Sequence, residues 1–117
     1  MNTKIFRSSV VVIGLFLLGA LSQAGADEFY KAKTIRFVVG APAGGGYDTY
    51  TRAIARHLGK HIPGNPSMLV ENMEGAGSLI AANHVYNKAE PDELTIGVWI
   101  SGQIIRDALG DRSIKFD

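Results

Sequence analysis

Two glycine-rich stretches hold most of the chemistry this sequence can do. Pro42-Ala43-Gly44-Gly45-Gly46-Tyr47-Asp48 stands between a β-branched run and an amphipathic helical pattern, and Gly75-Ala76-Gly77-Ser78 occupies a comparable place before the next helical pattern. A backbone without β-carbons lets a ligand oxygen come within hydrogen-bond distance of several N–H groups at once. Each helix start adds a positive dipole end, worth roughly 0.3–1 kcal/mol to an anion. A lone glycine triplet is as readily a bare flexible turn. Here a helix begins at once and a second such turn recurs, and the pair suits a small carboxylate or phosphate without any arginine. The expected ligand-binding residues are Ala43, Gly44, Gly45, Gly46 and Asp48 in the first turn, and Gly75, Ala76, Gly77 and Ser78 in the second. Asp48 falls in the first turn of its helix, where a carboxylate complements the dipole with no ligand present. Its functional reading is as an acceptor for a bound water or for a ligand amine or hydroxyl, since a bare carboxylate ligand would be repelled.

The elements that must position these turns are legible from periodicity. Residues 34–39, Thr-Ile-Arg-Phe-Val-Val, read as a strand so continuous in apolar character that it belongs at the centre of a sheet, buried on both faces. From Tyr47 onward, Tyr47, Ile54, Leu58 and Ile62, with Tyr50, Thr51 and Ala55 beside them, follow helical spacing, while Arg52, Arg56 and Lys60 line another face. Pro63-Gly64-Asn65-Pro66 ends that helix. Residues 67–71 form a second strand, residues 72–77 the second turn, and Ser78 is an N-cap candidate. Leu79, Ala82, Val85, Tyr86 and Ala89 give the second helix one buried face. Pro91-Asp92-Glu93 turns into a third strand over 94–100, and 103–109 is a short helix that Gly110 terminates. The order β-α-β-α-β predicts an α/β fold: a three-layer parallel-sheet unit with right-handed crossovers. In such sheets ligands sit off the carboxyl ends of the strands, where both glycine turns fall.

Other chemistries fail on detail. Gly40 to Gly45 has Walker-like spacing, but Gly46 and Tyr47 stand where Lys and Ser/Thr are required. Gly75-Ala76-Gly77-Ser78-Leu79-Ile80 begins like a dinucleotide fingerprint and ends on Ile80 in place of a small residue. His57 and His61 have metal-ligand spacing on a helix, yet no third ligand is supplied and a solvated face is the better account. His84 has no partner nearby in the sequence. Ser78 and Ser101 lack a credible base for hydrolase chemistry, and Trp99 reads as a core residue. No catalytic residue, metal or cofactor is expected, and the charge pattern holds no basic footprint for nucleic acid.

Residues 1–26 read as a signal peptide. Lys4 and Arg7 form a positive n-region, Val10 to Leu21 an apolar h-region, and Ser22, Ala24, Gly25 and Ala26 offer cleavage after Ala24 or Ala26. The apolar run is short of the ~20 residues needed to cross a bilayer. The chain has no cysteine, which removes disulfides, thiolate metal sites and a lipid-modified cysteine. A periplasmic location is the simplest expectation. Removing Lys4 and Arg7 takes the formal charge from +1 to −1, because every acidic residue lies after Ala26. Residues 113–117 carry no terminating pattern, so the sequence reads as the first part of something longer.

Together these residues resemble the solute-binding receptors of tripartite tricarboxylate transporters, the Bug (TctC-like) family. The matching segments are Tyr30-Lys31-Ala32-Lys33-Thr34-Ile35, Pro42-Ala43-Gly44-Gly45-Gly46 with Asp48, Val70-Glu71-Asn72, Gly75-Ala76-Gly77, and Pro91-Asp92 followed by Thr95-Ile96-Gly97. The resemblance implies a two-lobed periplasmic binding protein of the type II class, with residues 27–117 as part of the first lobe and the second lobe absent. It implies a small organic acid (tricarboxylate, dicarboxylate or similar) pinched between such glycine loops, partly through ordered waters, and delivered to a membrane permease. Two positions depart from the family pattern. Glu74 replaces a usual proline and puts negative charge beside an anion loop. Glu93 replaces a usual turn glycine, at ~1 kcal/mol if positive φ is needed there. Alternative readings are an exported α/β enzyme or phosphate- or nucleotide-binding domain, and a nonfunctional truncated product.

Overall fold

A computed structural model describes residues 29–116; the signal read in residues 1–26 lies outside them. Its elements are β1 (Thr34–Val39), α1 (Gly46–Leu58), β2 (Ser67–Asn72), α2 (Leu79–Asn87), β3 (Thr95–Val98) and α3 (Gln103–Ala108). The strands form one parallel sheet in the order β2-β1-β3, so the α/β expectation holds and the apolar run at 34–39 takes the centre. Thr34 pairs with Ser67 and Val39 with Asn72 on one side, while Arg36 pairs with Thr95 and Val39 with Val98 on the other. β3 is shorter than the 94–100 expected. Beyond Val98 the chain leaves the ladder, and the Ile100 N–H donates to the Ser78 hydroxyl at 3.3 Å.

Alternation along β1 splits the core between two faces. Ile35 and Phe37 pack with Ala55 of α1, and Leu58, Met68, Val70 and Val98 close around them. Val38 points the other way, where Leu79, Ala81 and Ala82 of α2 are buried. Burial on both faces holds only for the carboxyl half of β1. Thr34 and Arg36 are exposed, and Arg36 pairs with Glu71 on β2 at 3.3 Å.

α1 is rolled relative to its apolar pattern. α1 buries Asp48, Thr51 and Ala55, whereas Tyr50 is 75% and Ile54 54% exposed. The cause is polar: Asp48 carries partners on β2 and in the preceding turn, and turning it inward turns Tyr47, Tyr50 and Ile54 outward. With Phe37 and Val98 these three line an open apolar groove of about 460 Å³. On α2, Leu79 and Ala82 are buried as expected and Ala81 joins them, Val85 and, just past the helix end, Ala89 are half-buried, and Tyr86 alone of the expected face is exposed. The α1 pattern also ends earlier than residue 62: a 3₁₀ turn over Gly59–His61 follows, then the Pro63 to Pro66 link. α3 stops as expected, with Gly110 at φ 75° just past its end.

The turn before β3 holds Glu93 at φ 64°, beside an Asp92 carboxylate that accepts from the Leu94 N–H at 3.0 Å. A left-handed conformation costs a non-glycine residue about 1–2 kcal/mol, and glycine gives back part of that through the extra chain entropy it loses on folding. Glu93→Gly is therefore expected to raise stability by about 0.5–1 kcal/mol in urea denaturation. An unchanged or lower midpoint would remove strain from the account of this turn.

Candidate functional site

The first glycine turn leaves the carboxyl end of β1 and is braced from behind. Gly45 N–H donates to the Pro42 carbonyl at 3.1 Å, and Gly44, at φ 79°, donates its N–H to Asp48 Oδ2 at 2.8 Å. Arg52 Nε donates to both Asp48 oxygens, at 2.9 and 3.0 Å, and Asn72 Nδ2 donates to Asp48 Oδ1 at 2.9 Å. Asn72 also donates to the Ala41 carbonyl at 3.0 Å and accepts from Arg52 Nη2 at 2.9 Å. The Asp48 carboxylate, 3% exposed, is thus fully engaged. The Arg52 hydrogen bond first, then those from Gly44 and Asn72, lower its pKa to about 2. Its place is behind the turn, as a brace that ties α1 to the end of β2.

α1 then begins at Gly46 with Gly45 extended at the cap and no side chain closing the helix. The N–H groups at 46–48 are the orphan donors of that start. Among them Gly46 and Tyr47 line a cleft.

The second turn is left-handed throughout. Gly75 lies at φ 132°, Ala76 at 47°, Gly77 at 63° and Ser78 at 73°. Ser78 occupies the cap position of α2, but its hydroxyl does not cap that helix. It donates to the Gly40 carbonyl at 2.7 Å and accepts from Ile100 N–H, so it fastens the second turn to the start of the first. The cap expectation is corrected by that long-range partner.

Between the turns, at the carboxyl ends of all three strands, lies a cleft of about 380 Å³. Pro42, Gly45, Gly46 and Tyr47 form one wall, and Glu74, Gly75, Gly77 and Ser78 the other. The structure brings together five of the expected ligand residues here: Gly45, Gly46, Gly75, Gly77 and Ser78. Ala43, Gly44, Asp48 and Ala76 do not line the cleft. No lysine, arginine or histidine lines it, so any attraction for an anion comes from N–H groups and helix ends, against the opposing charge of Glu74. His57 and His61 are exposed, and no group of His, Cys, Asp or Glu among the described residues is placed to hold a metal. Trp99 is half-buried with its indole over Gly97. Sequence reasoning missed Arg52 and Asn72 as braces. The i,i+4 spacing of Asp48 and Arg52 was a usable signal, but Asn72 had none beyond its place at a strand end.

No family model matches the chain. Two curated UPF0065 proteins are similar to it. One, a UPF0065 protein in the TAR-I ttuE-ttuC' intergenic region of Agrobacterium vitis, is 39% identical over 69 residues, which is 59% of this chain and 19% of that protein. The other, a UPF0065 protein in the gbd 5' region of Cupriavidus necator, is 37% identical over 89 residues, 76% of this chain and 25% of that protein. The chain thus spans at most a quarter of the length of these relatives.

Proposed function

We propose that this chain is the opening part of the first lobe of a periplasmic solute-binding receptor, one that captures an organic carboxylate for the permease of a tripartite tricarboxylate transporter. The observation that carries the reading is the meeting of two glycine turns at one end of the sheet, with an uncapped helix start facing the cleft between them. The similarity to UPF0065 proteins supports it, since that designation is used for Bug/TctC-like receptors. It is a receptor and not an enzyme on this reading: Ser78 Oγ is engaged with the Gly40 carbonyl, and Glu74 is the one titratable side chain besides Tyr47 lining the cleft. The ligand is a small di- or tricarboxylate, whose oxygens accept from the N–H groups of both turns.

Calorimetry with citrate, succinate and related acids, on the polypeptide that the complete reading frame encodes, tests the proposal. Heat from at least one acid is expected, and none from any acid would count decisively against it. Melting shifts with phosphate or nucleotides, and none with carboxylates, would turn the reading toward a phosphate-binding domain. Gly46→Val is the sharpest variant. A β-carbon at Gly46 meets nothing within 4 Å, while one at Gly45 would stand 3.1 Å from the Pro42 carbonyl. Gly46→Val should leave the fold intact and weaken carboxylate binding about tenfold or more by filling the helix start. Unchanged affinity would show that the ligand does not touch this turn.

A further inference from the structure

The second glycine turn is held from outside the cleft by α3. Arg106 Nη1 donates to the Ala76 carbonyl at 2.9 Å, and Gln103 Nε2 donates to the Gly77 carbonyl. A peptide unit is planar and trans, so its N–H points opposite to its C=O. The unit bearing the Ala76 carbonyl carries the N–H of Gly77, and the unit bearing the Gly77 carbonyl carries the N–H of Ser78. Drawing both carbonyls toward α3 turns both N–H groups away from α3. Gly77 and Ser78 are cleft residues, and consecutive N–H groups presented from one turn form an anion-binding concavity.

From this geometry we infer that Gln103 and Arg106 are positioning residues of the carboxylate site: they touch no ligand but aim the Gly77 and Ser78 amides into the cleft. The inference rests on the receptor reading above. Two features set these side chains apart from ordinary surface contacts. Arg106 is itself fixed by Asp111, with Nη2 at 2.7 Å and Nε at 2.8 Å from Oδ2. Gln103 is 2% exposed, and its Oε1 is buried without a hydrogen-bond partner among the described residues. The Gly77 carbonyl dictates which end of the amide faces it, since only the nitrogen can donate. The molecule therefore carries an unsatisfied buried acceptor on the side chain that holds one carbonyl of this turn, and an apolar side chain would shift the unmet acceptor to that carbonyl.

Amide spectra of isotopically labelled protein, titrated with citrate, test this in Gln103→Met and Arg106→Met variants. In the parent protein citrate is expected to shift the Gly46, Tyr47, Gly77 and Ser78 amides. Gln103→Met should fold with a melting temperature close to the parent's, because loss of the orphan Oε1 offsets leaving the Gly77 carbonyl without its donor, and yet bind citrate about tenfold more weakly. Arg106→Met should weaken binding similarly, and Arg106→Lys, which keeps a donor for Ala76, should restore part of it. A purely structural role would move stability and binding together. Parent-like citrate affinity in folded Gln103→Met and Arg106→Met overturns the inference. If citrate and succinate shift nothing in the parent, the receptor reading fails instead, and the ligand-free spectra decide the positioning: Gly77 and Ser78 amide shifts unchanged by both substitutions overturn it, and displaced ones support it. Should Arg106→Met not fold, Asp111→Asn loosens the same guanidinium without touching the turn and is read the same way.

Discussion

Gly40→Val is expected to destabilise the protein by about 3 kcal/mol and to abolish carboxylate binding. A β-carbon at Gly40 would lie 2.6 Å from Ser78 Cβ and 3.0 Å from Ser78 Cα. Neither atom is the end of a flexible side chain, so one turn must move away from the other. That movement also breaks the 2.7 Å bond from the Ser78 hydroxyl to the Gly40 carbonyl, which lies in the same contact. The site and the fold share this point of closest approach, and the same substitution should therefore damage both. A double-mutant cycle sharpens the claim. Gly40→Ala should be markedly less harmful in a Ser78→Gly background, where the obstructing side chain is gone, and the coupling should exceed about 0.5 kcal/mol. Urea midpoints for the four proteins provide the measurement. Additive effects within about 0.3–0.5 kcal/mol would mean that the turns do not meet as described.

The second large effect belongs to Asp48. Asp48→Ala should cost most of the protein's stability, because it strands three sets of donors at once: the Gly44 N–H, the Asn72 amide and the Arg52 guanidinium. Asp48→Asn should be milder, since one oxygen remains to accept while the charge facing Arg52 is lost. The same carboxylate makes stability depend on acid. Its folded pKa of about 2 lies below the ordinary value of 3.8, with the Arg52 hydrogen bond the largest cause. A depressed carboxyl pKa stabilises the folded state fully above its unfolded value, and that contribution is lost as pH falls through the folded one. Stability should thus decline between about pH 4 and pH 2. Asp111, lowered to about 2 by Ser113 first and Arg106 after it, titrates in the same window. Asp48→Asn should shrink the acid slope without erasing it, and Asp48→Asn with Asp111→Asn should shrink it further. An acid slope identical to the parent's in Asp48→Asn would remove the carboxylate from its bracing role.

Much of the fold was legible because its determinants are local. The run at 34–39 declared a central strand through its lack of polar alternation, although Arg36 keeps one face of its amino half in solvent. Gly110 declared the end of α3, whereas Glu93 was suspect only because it replaces a turn glycine usual in the family the chain resembles; its positive φ bears that out. The helix faces were less legible. Tyr47, Tyr50 and Ile54 satisfy a helical repeat as well as Thr51 and Ala55 do, and periodicity has no means of knowing that Asp48 prefers the inside. That preference is completed by Asn72, 24 residues away, which joins Gly44 and Arg52 in donating to the carboxylate.

The site divides along the same line. Glycine composition before each helix marks where the backbone can expose N–H groups, and this is a property of the residue type, so the two turns could be found in the chain without coordinates. The roles within them could not. Ser78 looks like a helix cap until the fold brings the Gly40 carbonyl, 38 residues away, within reach of its hydroxyl, and Asp48 looks like a ligand acceptor until three donors surround it. The order of strands, turns and helices follows from local residue preferences, because dihedral propensity and hydrophobic period act over a few residues. Which polar groups face the cleft and which hold it open is set by the folded chain, because a hydrogen bond's worth depends on a partner that distant segments must supply.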